Sequence, residues 1–348
     1  MPALTLITES SISGSSPTKE SFSGEATLSI IIPVYNESES IAECHSRVCS
    51  VLTGMNETSE IIYINDGSND DSWQQLFTLR SPSSNISIVT INLSRNFGKE
   101  AAMSAGLVEA KGDAVILLDA DLQDPPELIP EMLVEWRKGY DVVDMKRKSR
   151  DGESWFKVFT ASLFYKVINH LSDLQIPENV GDFRLLDRKV VEQINLLPEK
   201  TRFMKGLFAW PGFRRTTLEF NRDPRIAGET KWNYTKLVHL AFEGITSFST
   251  KPLRIATIAG LATSAAAISM MIFVLFKTIL FGEAVAGYPT LITVILLLGG
   301  VQLLSIGLMG EYVGRLFIEA KGRPLYLIMD KNNASSCDGV TESEQRLG

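Results

Sequence analysis

Cysteine and histidine are scarce in this chain, with three of each in 348 residues. Cys44, Cys49 and Cys337 are scattered, odd in number and free of any CxxC or Cys/His spacing. That pattern excludes a disulfide framework and a zinc site, and it points to free thiols in a reducing compartment. His45, His170 and His239 are equally dispersed and read as packing or surface residues. No GxGxxG follows an apolar run and no GxxxxGK[ST] occurs, so the phosphate-cradling loops of dinucleotide and P-loop sites are missing. Positive charge is in deficit as well: the net charge of −7 argues against a nucleic-acid partner, because a grip on phosphates needs an extended basic face. Residues 1–25 lack the basic start and apolar core of a secretory signal; rich in Ser and Thr, they read as a flexible tail, as do residues 331–348.

What is present is apolar: 45% of the residues, enough for a sizeable core. Two runs are nearly unbroken, Ile255 to Leu280 and Pro289 to Met309. As helices they reach roughly 39 and 31 Å, enough to cross a ~30 Å hydrocarbon core. They predict a transmembrane hairpin over 251–314, with Lys277 snorkelling near one helix end. Lys251 and Arg254 precede the first run, Arg315, Lys321 and Arg323 follow the second, and the joining loop around Glu283 carries no basic residue. This asymmetry puts both termini, and the soluble domain at 26–250, on the cytoplasmic side; residues 315–348 form a cytoplasmic C-terminal segment and tail.

Upstream, short β-branched runs alternate with helical patterns. Strands are predicted at Leu28 to Pro33, Glu60 to Asn65, Ile86 to Asn92, Ala114 to Leu118 and Val142 to Met145, and helices near residues 38–53, 70–79, 98–110 and 127–138. Such alternation specifies an α/β fold with an open, mostly parallel sheet covered by helices on both faces. Ligands in such sheets sit at the carboxyl ends of the strands.

Three of those ends carry unusual residues: Pro33-Val34-Tyr35-Asn36-Glu37, Asn65-Asp66-Gly67-Ser68, and Asp119 to Glu127, reading DADLQDPPE. Each alone would be turn and N-cap chemistry. Together they predict a pocket. Asp119 and Asp121, alternating at a strand end with Gln123 two residues on, can offer oxygens to one hard divalent cation, Mg2+ or Mn2+, set against a nucleoside diphosphate. Pro125 and Pro126 would stop the strand.

These stretches, with RNFGKEAAMSAG (95–106), GDFRLLDR (181–188), RFMKG (202–206), RIAGETKWNY (225–234) and the terminal hairpin, resemble the inverting family 2 glycosyltransferases over about residues 26–328. The resemblance is nearest to the polyprenyl-phosphate branch, which includes bactoprenol glucosyltransferases and dolichyl-phosphate mannose synthases. A QxxRW motif is absent, which counts against a processive polysaccharide synthase. The resemblance implies a GT-A type fold, and it implies Pro33, Tyr35, Glu37 and Asp66 as nucleoside contacts, with Asp119, Asp121 and Gln123 on the metal. It also implies Asp182 in the position often assigned to the catalytic base, and a homo-oligomer. A phosphate monoester has a second pKa of about 6, so the acceptor is already largely a dianion and Asp182 is expected mainly to orient the sugar or an Arg on the acceptor.

A basic acceptor site is expected near the membrane. Arg147 leads among Lys146, Arg147, Lys148 and Arg150, with Lys157 and Arg202 as further phosphate contacts. Residues 154–173 would form an in-plane interfacial helix with Phe156, Phe159, Leu163, Val167 and Leu171 on one face. Arg225 and Lys231 match the family's Arg-x-x-Gly-x-Ser-Lys stretch, with Thr230 in place of Ser, and would close over the donor diphosphate. The expectation is transfer of a hexose, best glucose from UDP-glucose, to undecaprenyl phosphate with inversion, at the cytoplasmic face of a bacterial inner membrane and in the pathway class of O-antigen modification. The rivals are another donor, GDP-mannose or an amino-arabinose nucleotide, and a non-catalytic lipid-binding or flipping protein.

Overall fold

Why the site lies where it does follows from the strand order. The computed structural model describes residues 27–55, 57–148, 180–221, 251–281 and 287–334. Strands β1 (Leu28–Val34), β2 (Ser59–Asn65), β3 (Ile86–Leu93) and β4 (Ala114–Leu117) are parallel and stand in the order β4-β1-β2-β3. Their crossovers are α1 (Ile41–Thr53), α2 (Ser72–Thr78) and α3 (Lys99–Glu109). A short 3₁₀ turn at Pro126–Leu128 leads into α4 (Ile129–Arg137), which returns the chain to β5 (Val142–Arg147).

The period of two along β1 divides the core. Ile30 and Ile32 pack with Val48 and Leu52 of α1 and Trp136 of α4, whereas Ile31 packs on the other face with Ala102 and Ala105 of α3. Burying each Ile or Leu in these layers stabilises the fold by roughly 1.5–3 kcal/mol relative to exposure. Small residues bring α3 unusually close: a Cβ at Gly106 would lie 2.4 Å from Ile31 Cγ2. The first turn of α3 is thereby held over the ends of β1 and β4.

Among the described residues, three further strands complete a sheet of eight, ordered β7-β5-β6-β4-β1-β2-β3-β8. β6 (Val180–Asp187) is antiparallel between β4 and β5 and is followed by α5 (Arg188–Leu196) and the short α6 (Met204–Leu207); β7 (Arg215–Phe220) runs parallel to β5. The periodicity did not reveal β6, because Gly181, Asp182 and Arg184 interrupt its apolar pattern. Antiparallel entry brings Val180 beside Lys146, so β6 begins at the carboxyl end of β5.

The hairpin consists of α7 (Lys251–Phe281) and α8 (Tyr288–Ala320), both longer than the apolar runs 255–280 and 289–309. Leu261 and Leu304 are 73% and 72% exposed, a surface suited to hydrocarbon rather than water. Among the described residues, Leu297–Ala320 is long and apolar enough to cross a membrane, while the apolar stretch Ala256–Met270 in α7 is shorter.

After α8, Gly322 turns the chain at φ 58 and β8 (Ile328–Ala334) pairs antiparallel with β3, Ile328 opposite Leu93. Residues 331–334, expected in a tail on composition, are therefore strand; their polar side chains suit an exposed sheet edge. Glu319 of α8 accepts the backbone N–H of Lys200 at 2.8 Å, and the Leu327 carbonyl accepts that of Ser94 at 2.9 Å.

Candidate active site

Loops from three parallel strands are laced together above the sheet. After β1, Asn36 takes φ 54, a conformation Asn tolerates better than most residues. Its N–H donates to Ser68 Oγ at 2.9 Å, its Oδ1 accepts from the Asn69 N–H at 2.8 Å, and the Glu37 N–H donates to Ser72 Oγ at 3.0 Å. These bonds turn Tyr35 and Glu37 toward a cavity of about 240 Å³ that Pro33, Asp66, Asn96 and Gly98 also line. Gly67, at φ 64, abuts the next loop so closely that a Cβ there would lie 2.4 Å from the Arg95 carbonyl carbon.

Asp66 borders the cavity, but its oxygens are engaged: Oδ1 accepts the Phe97 N–H at 2.7 Å and Oδ2 the Gly98 N–H at 3.0 Å. Burial pushes its pKa up, against the opposing pull of those two N–H groups and of Arg95. Expected as a nucleoside contact, Asp66 here fastens the loop that leads into α3.

The acids after β4 are not arranged by strand alternation. β4 ends at Leu117, and Leu122, buried and at φ 57, reverses the backbone between Asp121 and Gln123. The Gln123 N–H donates to Asp121 Oδ1 at 3.1 Å. Asp119 and Asp121 face the cavity; Gln123 is not among its lining residues and acts here through its backbone.

Lys99 connects these acids to β6. Its Nζ lies 2.6 Å from Asp119 Oδ1 and 2.8 Å from Oδ2, and also donates to Asp182 Oδ2 at 2.6 Å. Burial alone would lower the lysine pKa, but Asp119 and then Asp182 outweigh it and hold the ammonium well above the usual lysine range. For Asp182, burial is likewise opposed, by Lys99 first, then Lys205 and Arg184, leaving the carboxyl well below the usual carboxylate range. Lys99 lies within the RNFGKEAAMSAG stretch, whose resemblance implies no role for it. A usable signal was there: a lysine in the first helical turn opposes the helix dipole by about 0.3–1 kcal/mol, so its presence asks for another partner.

Arg147, expected on the acceptor phosphate, lies at the end of β5 and shares that strand end with Asp182, since a Cβ at Gly181 would lie 3.5 Å from its guanidinium. Lys146 pairs with Glu219 at 3.0 Å. Arg202, expected on the acceptor phosphate, instead donates to the Leu197 and Glu199 carbonyls at 3.0 and 3.3 Å and to Ser104 Oγ at 3.3 Å. A guanidinium with five donors satisfies buried carbonyls well, and that bracing holds α3 against the loop before α6. Arg184 is buried and ion-paired with Asp144 at 3.3 Å. Lys157, Arg225, Lys231 and the helix expected over 154–173 lie outside the described residues.

Cys44 lies beneath the acids; burial, and next the charge of Asp121, push its thiol up to about 12, so it serves as packing rather than as a nucleophile. Among the described residues no three His, Cys, Asp or Glu side chains are grouped to hold a metal. The oxygen chemistry of Asp119 and Asp121 nevertheless fits a hard divalent ion, and the Lys99 ammonium on both Asp119 oxygens marks a place where positive charge is accommodated.

Residues 29–194 match glycosyl transferase family 2, and residues 251–316 match the GtrB C-terminal hairpin. An uncharacterized glycosyltransferase of Synechocystis is 54% identical over 303 residues, 87% of this chain and 95% of that one. A prophage bactoprenol glucosyl transferase homolog of Escherichia coli is 46% identical over 301 residues, 86% and 98% of the two chains. The bactoprenol glucosyl transferase of Shigella phage SfV is 45% identical over 304 residues, 87% and 98%. Among solved structures, glucosyl-3-phosphoglycerate synthase from Mycobacterium tuberculosis, in complex with Mn2+, UDP-glucose and phosphoglyceric acid, aligns over 64% of this chain and 78% of that one, with 18% identity and a TM-score of 0.41.

Proposed function

The chain belongs to glycosyl transferase family 2, and from that premise we propose that it transfers glucose from UDP-glucose to undecaprenyl phosphate, with inversion, at the cytoplasmic face of the membrane. The names borne by the Escherichia coli and Shigella phage relatives support the polyprenyl acceptor and the glucose. One observation carries the reading. β8 enters the sheet beside Leu93, at the carboxyl end of β3, so the hairpin hands its chain to the domain at the same sheet end as the cavity. A lipid headgroup at the bilayer and a soluble nucleotide sugar would then meet over Asp119, Asp121 and Asp182.

In the proposed step an acceptor phosphate oxygen bonds to the anomeric carbon as the bond to the UDP β-phosphate oxygen breaks on the opposite face. Tyr35 and Glu37 would bind the nucleoside side of the donor. Asp119 and Asp121 would hold Mg2+ or Mn2+, which when bound neutralises charge on the leaving diphosphate. Arg225 and Lys231 add positive charge to the same diphosphate, and Arg147 and Lys157 receive the acceptor phosphate. Asp182, held ionised far below neutral pH, is a weak proton acceptor, and the acceptor phosphate needs little deprotonation. Its work is to orient. Catalysis then rests on proximity and on charge arranged in advance. The α7–α8 hairpin would anchor the domain as a pair of membrane crossings with both termini cytoplasmic.

The test is a donor panel: UDP-glucose, GDP-mannose and a UDP-amino-arabinose, each with undecaprenyl phosphate and full-length protein in detergent, with Mn2+ or with EDTA. Glucosyl lipid formed with Mn2+ and lost with EDTA is the expected result. Transfer only from GDP-mannose or the amino-arabinose donor would change the sugar. Absence of transfer from every donor, with lipid moved across vesicles, would replace the enzyme by a flipping protein.

A further inference from the structure

Lys99 is set apart from the other basic groups of the site by what it joins. Asp119 lies 20 residues away and Asp182 83 residues away, on a loop and on an inserted antiparallel strand, and one ammonium holds both. Its backbone is fixed on two sides. Gly98, the residue before it, is fastened by Asp66, and α3 is pressed onto β1 at Gly106. Although the lysine side chain is partly exposed, its ammonium spans the gap between the two carboxylates, at 2.6 Å from each.

We infer that Lys99 is a positioning residue that couples cation loading at Asp119 to the setting of Asp182. This rests on the proposed reading that Asp119 takes a divalent cation. Lys99 contacts both Asp119 oxygens and Asp182 Oδ2, and so keeps two acids from repelling each other. An ion at Asp119 competes with the ammonium for those oxygens, and the lysine is then held by Asp182. Loading the donor side thereby fixes the acid on the acceptor side. No bond is made or broken in this exchange; one cation replaces another on a carboxylate.

The test is a Mn2+ titration of the full-length protein without donor, read by the electron paramagnetic resonance of free Mn2+, in wild type, Lys99→Met and Lys99→Arg. Lys99→Met should bind Mn2+ at least about tenfold more tightly, since a competing cation is gone, while its kcat falls and its KM for donor does not rise. Lys99→Arg should keep Mn2+ affinity within about threefold and recover part of kcat, because the charge remains. A folded Lys99→Met that binds Mn2+ no more tightly than wild type overturns the inference. Should Lys99→Met fail to fold, Asp182→Asn decides: it leaves Lys99 to Asp119 alone, so Mn2+ binding must weaken, and unchanged or tighter binding overturns the coupling. If wild type transfers sugar but the Mn2+ shifts are absent, the coupling fails and the functional reading stands. If the Mn2+ shifts appear but no donor is ever used, the reverse holds.

Discussion

The Asp66 carboxylate accepts the Gly98 N–H at 3.0 Å, and through that bond the end of β2 holds the start of α3. The acid expected to recognise the nucleoside is thus the fastening of a loop whose next residue is Lys99. Under the proposed reading, donor binding and the charge arrangement toward the acceptor would share this one support.

Asp66→Asn puts an amide where two N–H donors point, so one donor loses its acceptor inside a buried turn. The expected cost is about 1–3 kcal/mol. It should show as a lower thermal midpoint and a weaker UDP affinity by calorimetry. A variant with both unchanged would remove Asp66 from the clamp.

Asp182 has a folded-state pKa below its unfolded one. The stability it contributes is therefore present above its unfolded pKa of about 4 and lost only as pH falls from there through the depressed value. Under the proposed reading, an acid limb of kcat near pH 6 would belong to the acceptor phosphate. Asp182→Asn should lower kcat at every pH between about 5.5 and 9 and leave that limb in place. Recovery of the variant at alkaline pH would make Asp182 a proton acceptor after all.

Gly98 and Gly67 both sit at positive φ, yet they should respond differently to alanine. At Gly98, φ 100 and ψ 152, a Cβ meets nothing within 4 Å, so the cost is backbone strain alone, about 1–3 kcal/mol. At Gly67 strain is joined by overlap with Arg95 and Asn96 backbone atoms at 2.4 and 2.5 Å, which side-chain movement cannot relieve. Gly67→Ala should be the more destabilising in urea titrations, and the opposite order would contradict the packing of these loops.

His45 lies between the Tyr63 hydroxyl and the Arg80 carbonyl, each at 3.0 Å, and burial lowers its pKa more than the Arg80 carbonyl raises it. The unfolded chain therefore takes up the proton first. Stability is full above the unfolded value of about 6.5 and declines as pH falls through it. The thermal midpoint of wild type should drop between pH 7.5 and pH 5.5, and that of His45→Gln should drop less; equal drops would exonerate His45.

Much of the architecture was legible beforehand. Alternation of β-branched runs with helical spacing located β1 to β5 within a few residues, since each such element is specified by its own side chains. The positions of Tyr35, Glu37, Asp119 and Asp121 at strand ends could be read the same way. What escaped was β6, whose Gly181-Asp182 start looks like a turn, and β8, whose polar residues look like a tail. Arg202 escaped for a different reason: an arginine that caps carbonyls and one that grips phosphate are the same letter, and only the surroundings separate them.

The sequence alone thus located the strands of the parallel part of the sheet, the end of it that carries the acids, and two long apolar runs near the C-terminal end. Those are local properties, written in periodicity and composition over ten or twenty residues. Tertiary structure decided that β6 inserts antiparallel between β4 and β5, that β8 returns from the hairpin to cover β3, and that Lys99 therefore meets Asp119 and Asp182 at 2.6 Å from each. Contacts between segments so far apart depend on strand order and on the close approach of α3 to β1, and no local pattern encodes either.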